Sequence, residues 1–247
     1  MSLIKSASDF QKPNGQIVRY ALAGPFPSIA STVAVAEALR GAVLSAFHAK
    51  SGTRDSFLLS GHHADGRPDS DHRHAYYLPK PDKSGRIREL LIVSPRDRFS
   101  EAELAALESV KALRWNGPSA RTGLELLDTD DHSDSRLASS WVSLTPYVPV
   151  RRFWGTHGKH HLTPEKQIST EIRTAEPEIM IEEIMTKRWG EARVRVATTS
   201  TTKLPRTPVR QTAYLVKFRT GHPVCGPIAL GHSCHFGLGL FVPAPDA

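Results

Sequence analysis

Apolar and polar residues alternate along QIVRYALA, Gln16 to Ala23, and that period with its β-formers predicts a strand. The period then changes. In STVAVAEALRGAVLSAFHAK, Val33, Ala36, Leu39, Val43 and Phe47 recur at helical spacing, and Ser31 or Thr32 stands where a cap belongs. HRHAYYLP predicts a strand ending at Pro79, KPDKSG a turn closed by Gly85, and RIRELLIVS the next strand. SEAELAALESVKAL predicts a helix opened by a capping box of Ser100 and Glu103, and TGLELL closes the unit as a strand. The order β-α-β-β-α-β predicts an α+β, ferredoxin-like unit: an antiparallel sheet with two helices on one face. RNA-recognition modules use this RRM-like layout with the other sheet face open, but so do many unrelated functions.

DTDDHSDSR, Asp128 to Arg136, is acidic and polar and reads as a linker. It divides the chain into an N-terminal ferredoxin-like domain (1–128), a linker (129–140) and a second, less regular ferredoxin-like domain (141–247). In the second, WVSLTPYVP predicts a strand. TPEKQISTEIRTA predicts a helix with Thr163 as cap and Pro164 at its first position. EARVRVAT and TAYLVKFRT alternate as strands, TSTTKLPRTPVR between them reads as an exposed basic loop, and GPIALGHSCHFGLGLFVP supplies the last strands.

Composition narrows the picture. Hydrophobic residues make up 39% of the 247, enough for a core and against wholesale disorder. No apolar run reaches the roughly 20 residues that span a bilayer, and MSLIKSASDF lacks the apolar region of a signal peptide. Two cysteines, Cys225 and Cys234, make no disulfide framework. The expectation is a cytoplasmic protein without a membrane partner. The formal charge is +7 and the sequence pI about 9.6, which suits a polyanionic partner. From Lys187 to Arg219 there are nine Lys or Arg and a single acid, Glu191. That is the footprint of nucleic-acid binding; a solvated basic surface is the plainer alternative. Strand parity puts Arg193 and Arg195 on one face and Lys217 and Arg219 on another. Val194, Val196, Tyr214, Val216 and Phe218 then point to the core. Two adjacent basic faces would form a groove for a phosphate backbone.

The candidate chemistry starts with SGHHADGRPDSDHRHAYYLP, which gathers His62, His63, His72 and His74 beside Asp65, Asp69 and Asp71. These residues admit three readings: metal ligands, general acids and bases, or a polar loop ahead of a strand. No zinc signature matches the spacing, so no metal is assigned. Parity sets His72, His74 and Tyr76 on one strand face, with His63 close in sequence. Cleavage of RNA by its own 2′-hydroxyl needs a base, an acid and a donor to the phosphorane, and no cofactor. His48 and Lys50 form a second pair, but the dipole at a helix C-terminus favours cations there, and that explanation is preferred. His232 and His235 flank Cys234, and with Cys225 their spacing is irregular for zinc. Gly231, Gly237 and Gly239 suit either a tight hairpin or a phosphate cradle built from backbone N–H groups.

With LSGHHADGRPDSDHRHAYYLP and GPIALGHSCHFGLGLFVP, supported by VAVAEALRGAVLSAF and RIRELLIVSPRDRFSEAELAAL, the chain resembles the RAMP superfamily of CRISPR-associated proteins. Within it, the chain is similar to the processing half of the fused backbone-and-processing subunit of type I-U (I-G) systems. The resemblance implies tandem ferredoxin-like units and a C-terminal glycine-rich loop. It implies a metal-independent endoribonuclease that cuts precursor CRISPR RNA within its repeats, leaving 2′,3′-cyclic phosphate and 5′-hydroxyl ends. The product would stay bound and join other type I effector subunits. The loop would run from Gly231 to Gly239, with His235 in place of the basic residues relatives often carry there. The backbone half would be missing, leaving a standalone subunit or a fragment. A non-catalytic RNA-binding subunit of such a complex is the alternative. A two-lobed phosphoesterase is disfavoured, since tandem His-x-Ser/Thr motifs are absent.

Overall fold

The computed structural model describes residues 3–5, 15–53, 56–63, 65, 67, 73–117, 120–129, 136–150, 163–175, 177–195 and 209–245. The chain forms two compact units. One holds residues 12–133 with 235–237; the other holds 1–11, 134–234 and 238–247.

In the first unit, β2 (Gln16–Leu22) is followed by α1 (Thr32–Ser51), a short α2 (Phe57–Ser60), β3 (Tyr76–Pro81) and β4 (Ile87–Ser94). Then come α3 (Glu101–Ser109), β5 (Ala112–Arg114) and β6 (Arg121–Asp128). The sheet is antiparallel, in the order β3-β4-β2-β6-β5. Tyr20 points to the helical side, where its hydroxyl donates to Leu107 O at 2.8 Å. α1 packs against α3 and β3 through buried Val33, Val35, Ala36, Leu39, Val43 and Phe47. Ser31 and Thr32 do not cap it: Thr32 Oγ1 bonds back to Ile29 O, and a 3₁₀ turn, Ile29–Ser31, leads in. The predicted capping box of Ser100 and Glu103 is present in full. Ile29–Ser51 is long and apolar enough to cross a membrane by composition, which the run-length reading missed. A core helix passes the same test, and this one buries its apolar stripe.

The other sheet face differs from its expected openness. Ile17, Tyr76, Leu78, Leu91 and Val93 share it by register, and each is at most 4% exposed. β3 also starts four residues later than the strand read from HRHAYYLP, so His74 precedes it in a bend. Its prolines, Pro79 and Pro81, are tolerated because β3 is an edge strand.

The second unit contains β1 (Leu3–Lys5), β7 (Leu137–Ser143), α4 (Pro164–Ala175), β8 (Ile181–Arg193), β9 (Arg210–Ala229) and β10 (Leu240–Pro243). Its sheet runs β1-β9-β10-β7, with β8 on β9. α4 lays Ile168 and Ile172 into a core of Trp141, Val216, Phe218, Ile228 and Phe241. Thr163 caps it as expected, its Oγ1 accepting Lys166 N–H at 3.4 Å. β7 begins inside the segment read as linker. β8 begins at Ile181, ten residues before the predicted strand, and ends at Arg193. IEEIMTKRWG carries little alternation to signal a strand; its long partner β9 supplies the ladder.

Candidate active site

Two chain segments bring a stack of three rings together within the first unit. One is the bend before β3 with the strand's first residue, carrying His74 and Tyr76 respectively. The other is the 3₁₀ turn Cys234–Phe236, which carries His235. The His235 ring lies 3.8 Å from the Tyr76 ring and 4.4 Å from the His74 ring, each at 20°. His74 and Tyr76 are 6.4 Å apart at 13°.

Each ring is held by its surroundings. Gly61, in a left-handed conformation (φ 70°), lies against His74: a Cβ there would come within 2.8 Å of ring atoms Cδ2 and Cγ. Gly61 closes α2, whose last carbonyls are all engaged. Leu58 O accepts Ala75 N–H, Leu59 O accepts the Tyr77 hydroxyl, and Ser60 O accepts Arg40 Nη2. The start of α2 is tied to α3: Ser56 Oγ accepts Leu59 N–H and donates to buried Glu103 at 2.5 Å. On the other side, Gly237 (φ 80°) lets its segment close onto Pro79, since a Cβ would stand 2.4 Å from Pro79 Cδ.

The stack contains His74, Tyr76 and His235 from the sequence-predicted set, and joins a residue read as RNA-binding to two read as catalytic. Tyr76 is 1% exposed, so its ring supports the stack. His72 lies outside the described residues. His63 is exposed and turned to Phe57, with ring centroids 5.0 Å apart. His62 is exposed, its Nδ1 at 3.0 Å from Ser60 O. The pairing of His235 with His74 could not be read from spacing, because the two are 161 positions apart. Among the described residues, no three His, Cys, Asp or Glu side chains are grouped to hold a metal.

The glycine-rich segment is packed against its own chain. A Cβ on Gly231 (φ 88°) would meet Val148 O at 2.5 Å and the Tyr147 ring at 2.6 Å. One on Gly239 (φ 58°) would meet Leu230 O at 2.0 Å. These glycines, read as admitting an RNA backbone, admit the protein's own main chain. Within the segment, His232 Nδ1 is 2.7 Å from Ser233 Oγ, and Ser233, at φ 61°, accepts Arg195 N–H at 3.0 Å. Burial holds His232 below the usual histidine pKa, which favours the neutral ring.

The basic residues divide into two groups. Lys217 and Arg219 are exposed on β9, opposite Met185 and Glu183 of β8, and Glu182 pairs with Arg219 at 2.8 Å. Arg193 faces Arg210 at the far end of the ladder, seven residues along β9 from Lys217, or roughly 24 Å at ~3.4 Å per residue. Arg195 lies just beyond β8. The register therefore separates the two basic pairs that parity had set side by side.

Taken with its element order, this is a two-sheet α+β chain carrying a histidine stack. Across 94% of its length it resembles a Cas6-related protein of Pyrococcus furiosus, at 13% identity and a TM-score of 0.51, covering 100% of that chain. At this identity the likeness is one of fold. Two further solved structures are similar over 94% of this chain. A Cas6 in a product complex shares 12% identity (TM-score 0.47, all of that chain), and Csf5, the type IV CRISPR-Cas Cas6 crRNA endonuclease, shares 14% (TM-score 0.44, 99% of that chain). No protein-family model and no curated protein matches the sequence.

Proposed function

We propose that this chain is a CRISPR repeat-RNA endoribonuclease of the RAMP superfamily, built on ferredoxin-like units. The observation that carries the reading is the His74–His235 stack, two imidazoles brought face to face from distant parts of the chain. Two like charges about 4 Å apart repel by ~1 kcal/mol in water and ~4 kcal/mol at an effective dielectric constant near 20. The pair therefore favours a single proton, the state an acid–base couple needs. One imidazole removes the 2′-hydroxyl proton, and the oxygen attacks the adjacent phosphorus. As the new P–O2′ bond forms, the P–O5′ bond breaks. The second imidazole protonates the departing 5′ oxygen, leaving a 2′,3′-cyclic phosphate and a 5′-hydroxyl. No divalent ion takes part in these steps. Tyr76 supports the His235 ring, Lys217 and Arg219 attract the RNA backbone, and the cut product stays bound for assembly with other effector subunits in the cytoplasm.

The test is incubation of the purified chain with labelled repeat RNA in EDTA. A defined cut is expected, abolished by a 2′-deoxy substitution at the cut site. His74→Ala and His235→Ala should each slow single-turnover cleavage by ~10² to ~10⁴ while RNA binding persists. Binding without any cut would turn the assignment to a non-catalytic RNA-binding subunit, and a double variant cutting at the normal rate would remove the pair from the mechanism.

A further inference from the structure

A carboxylate that takes no part in these steps lies beneath the loop that carries His235. Glu171, on α4, accepts Gly231 N–H at 2.6 Å through Oε2 and the Tyr147 hydroxyl at 2.7 Å through Oε1. Burial is the leading influence on this carboxyl and raises its pKa, while the two hydrogen bonds act against it. The Tyr147 ring fills the space beside Gly231 and would stand 3.5 Å from a Cβ on Gly239, so both ends of the loop rest on it. The backbone adds His232 N–H to Val148 O at 2.8 Å, Gly239 N–H to Pro146 O at 2.8 Å and Leu230 N–H to Gly239 O at 3.0 Å. At Gly231 a side chain from a helix 60 positions away does the holding instead. A buried carboxylate is costly even when hydrogen-bonded, and an apolar residue would fill the same space without that cost.

We propose that Glu171 is a positioning residue for His235: its carboxyl group fixes the Gly231 end of the loop, and with it the turn on which His235 is presented. The proposal rests on the reading of His74 and His235 as the cleaving pair. The latch does not depend on charge. As a carboxylate, Glu171 accepts both bonds; as a neutral acid it donates to the Tyr147 oxygen and still accepts Gly231 N–H. A glutamine can make the same two bonds, whereas a leucine makes neither and an aspartate is one methylene too short.

The experiment compares Glu171→Gln, Glu171→Leu and Glu171→Asp in the full chain. Three quantities are read: amide hydrogen exchange across residues 230–240, repeat-RNA Kd, and single-turnover cleavage. Glu171→Leu should exchange loop amides at least ~10-fold faster and cleave ~10²-fold more slowly, the scale expected of a small misplacement. Its Kd should stay within about threefold of wild type. Glu171→Gln should restore exchange and cleavage to within about threefold of wild type. If Glu171→Leu does not fold, Glu171→Asp carries the same expectation. Wild-type exchange or wild-type cleavage in the Leu or Asp variant overturns the proposal, as does a Gln variant that fails like Leu. Wild-type protein that leaves repeat RNA intact sinks the nuclease reading instead, and the exchange comparison still decides whether Glu171 fixes the loop.

Discussion

Gly231 and Gly237 combine positive φ with contacts that leave no room for a methyl group, and the atoms in the way differ in kind. At Gly231 the nearest obstacle is a backbone oxygen, Val148 O, with the Tyr147 ring behind it; at Gly237 it is the Pro79 ring. Neither obstacle is the flexible end of a long side chain, so neither can swing aside. Gly231→Ala and Gly237→Ala should each destabilise the fold by ~1–3 kcal/mol through strain and overpacking, measured by chemical denaturation. Gly52, whose space is open but whose φ is 71°, gives the comparison: Gly52→Ala meets conformational strain alone and should lose less. Equal losses at all three positions would show that close packing of the loop is not what these glycines serve. The glycines themselves were legible in the sequence. Which surface approached them was not, because a backbone that admits RNA and one that admits its own chain leave the same residue type.

At the scale of the element, α2 shows how a four-residue turn is held in place. A turn this short forms too few internal bonds to persist alone. Here Ser56 supplies the cap and its hydroxyl donates a hydrogen bond to Glu103, so α2 is tied to the capping box of α3. Its final carbonyls are taken by Ala75, Tyr77 and Arg40. Ser56→Ala removes the cap, at ~0.5–2 kcal/mol, and leaves a buried carboxylate oxygen of Glu103 short of a donor, at ~1–3 kcal/mol more. Because Gly61 ends this turn and braces His74, cleavage should slow along with the loss of stability. A Ser56→Ala protein as stable as wild type would show that the tie to α3 does not hold the turn. Ser100 and Glu103 announced their capping box in sequence. The third partner, Ser56, lies 47 positions from Glu103 and carried no local signal.

Across the whole molecule, the net charge of +7 attracts polyanions, but the register decides where that charge is usable. Lys217 stands exposed opposite Met185, whereas Arg219 has Glu182 beside it. Lys217→Ala should flatten the dependence of log Kd for repeat RNA on log salt by ~0.7. Arg219→Ala should flatten it less, since its charge is already partly answered. Unchanged slopes in both would place the RNA elsewhere. By itself, the sequence determined β2, α1, β3, β4, α3 and β6 in that order, though not α2 or β5, together with the capping box of Ser100 and Glu103, the Thr163 cap, the turn at Gly85 and the inward-facing Val216 and Phe218. These follow from local periodicity and from side chains bonding within three or four positions, and such information is written in neighbouring residues. Only the tertiary structure decided that the second sheet face is buried, that β8 begins at Ile181, that the two basic pairs stand apart, and that His235 stacks on His74. Each of these depends on pairing between residues far apart in the chain, where register and closure, rather than local pattern, fix which side chains meet.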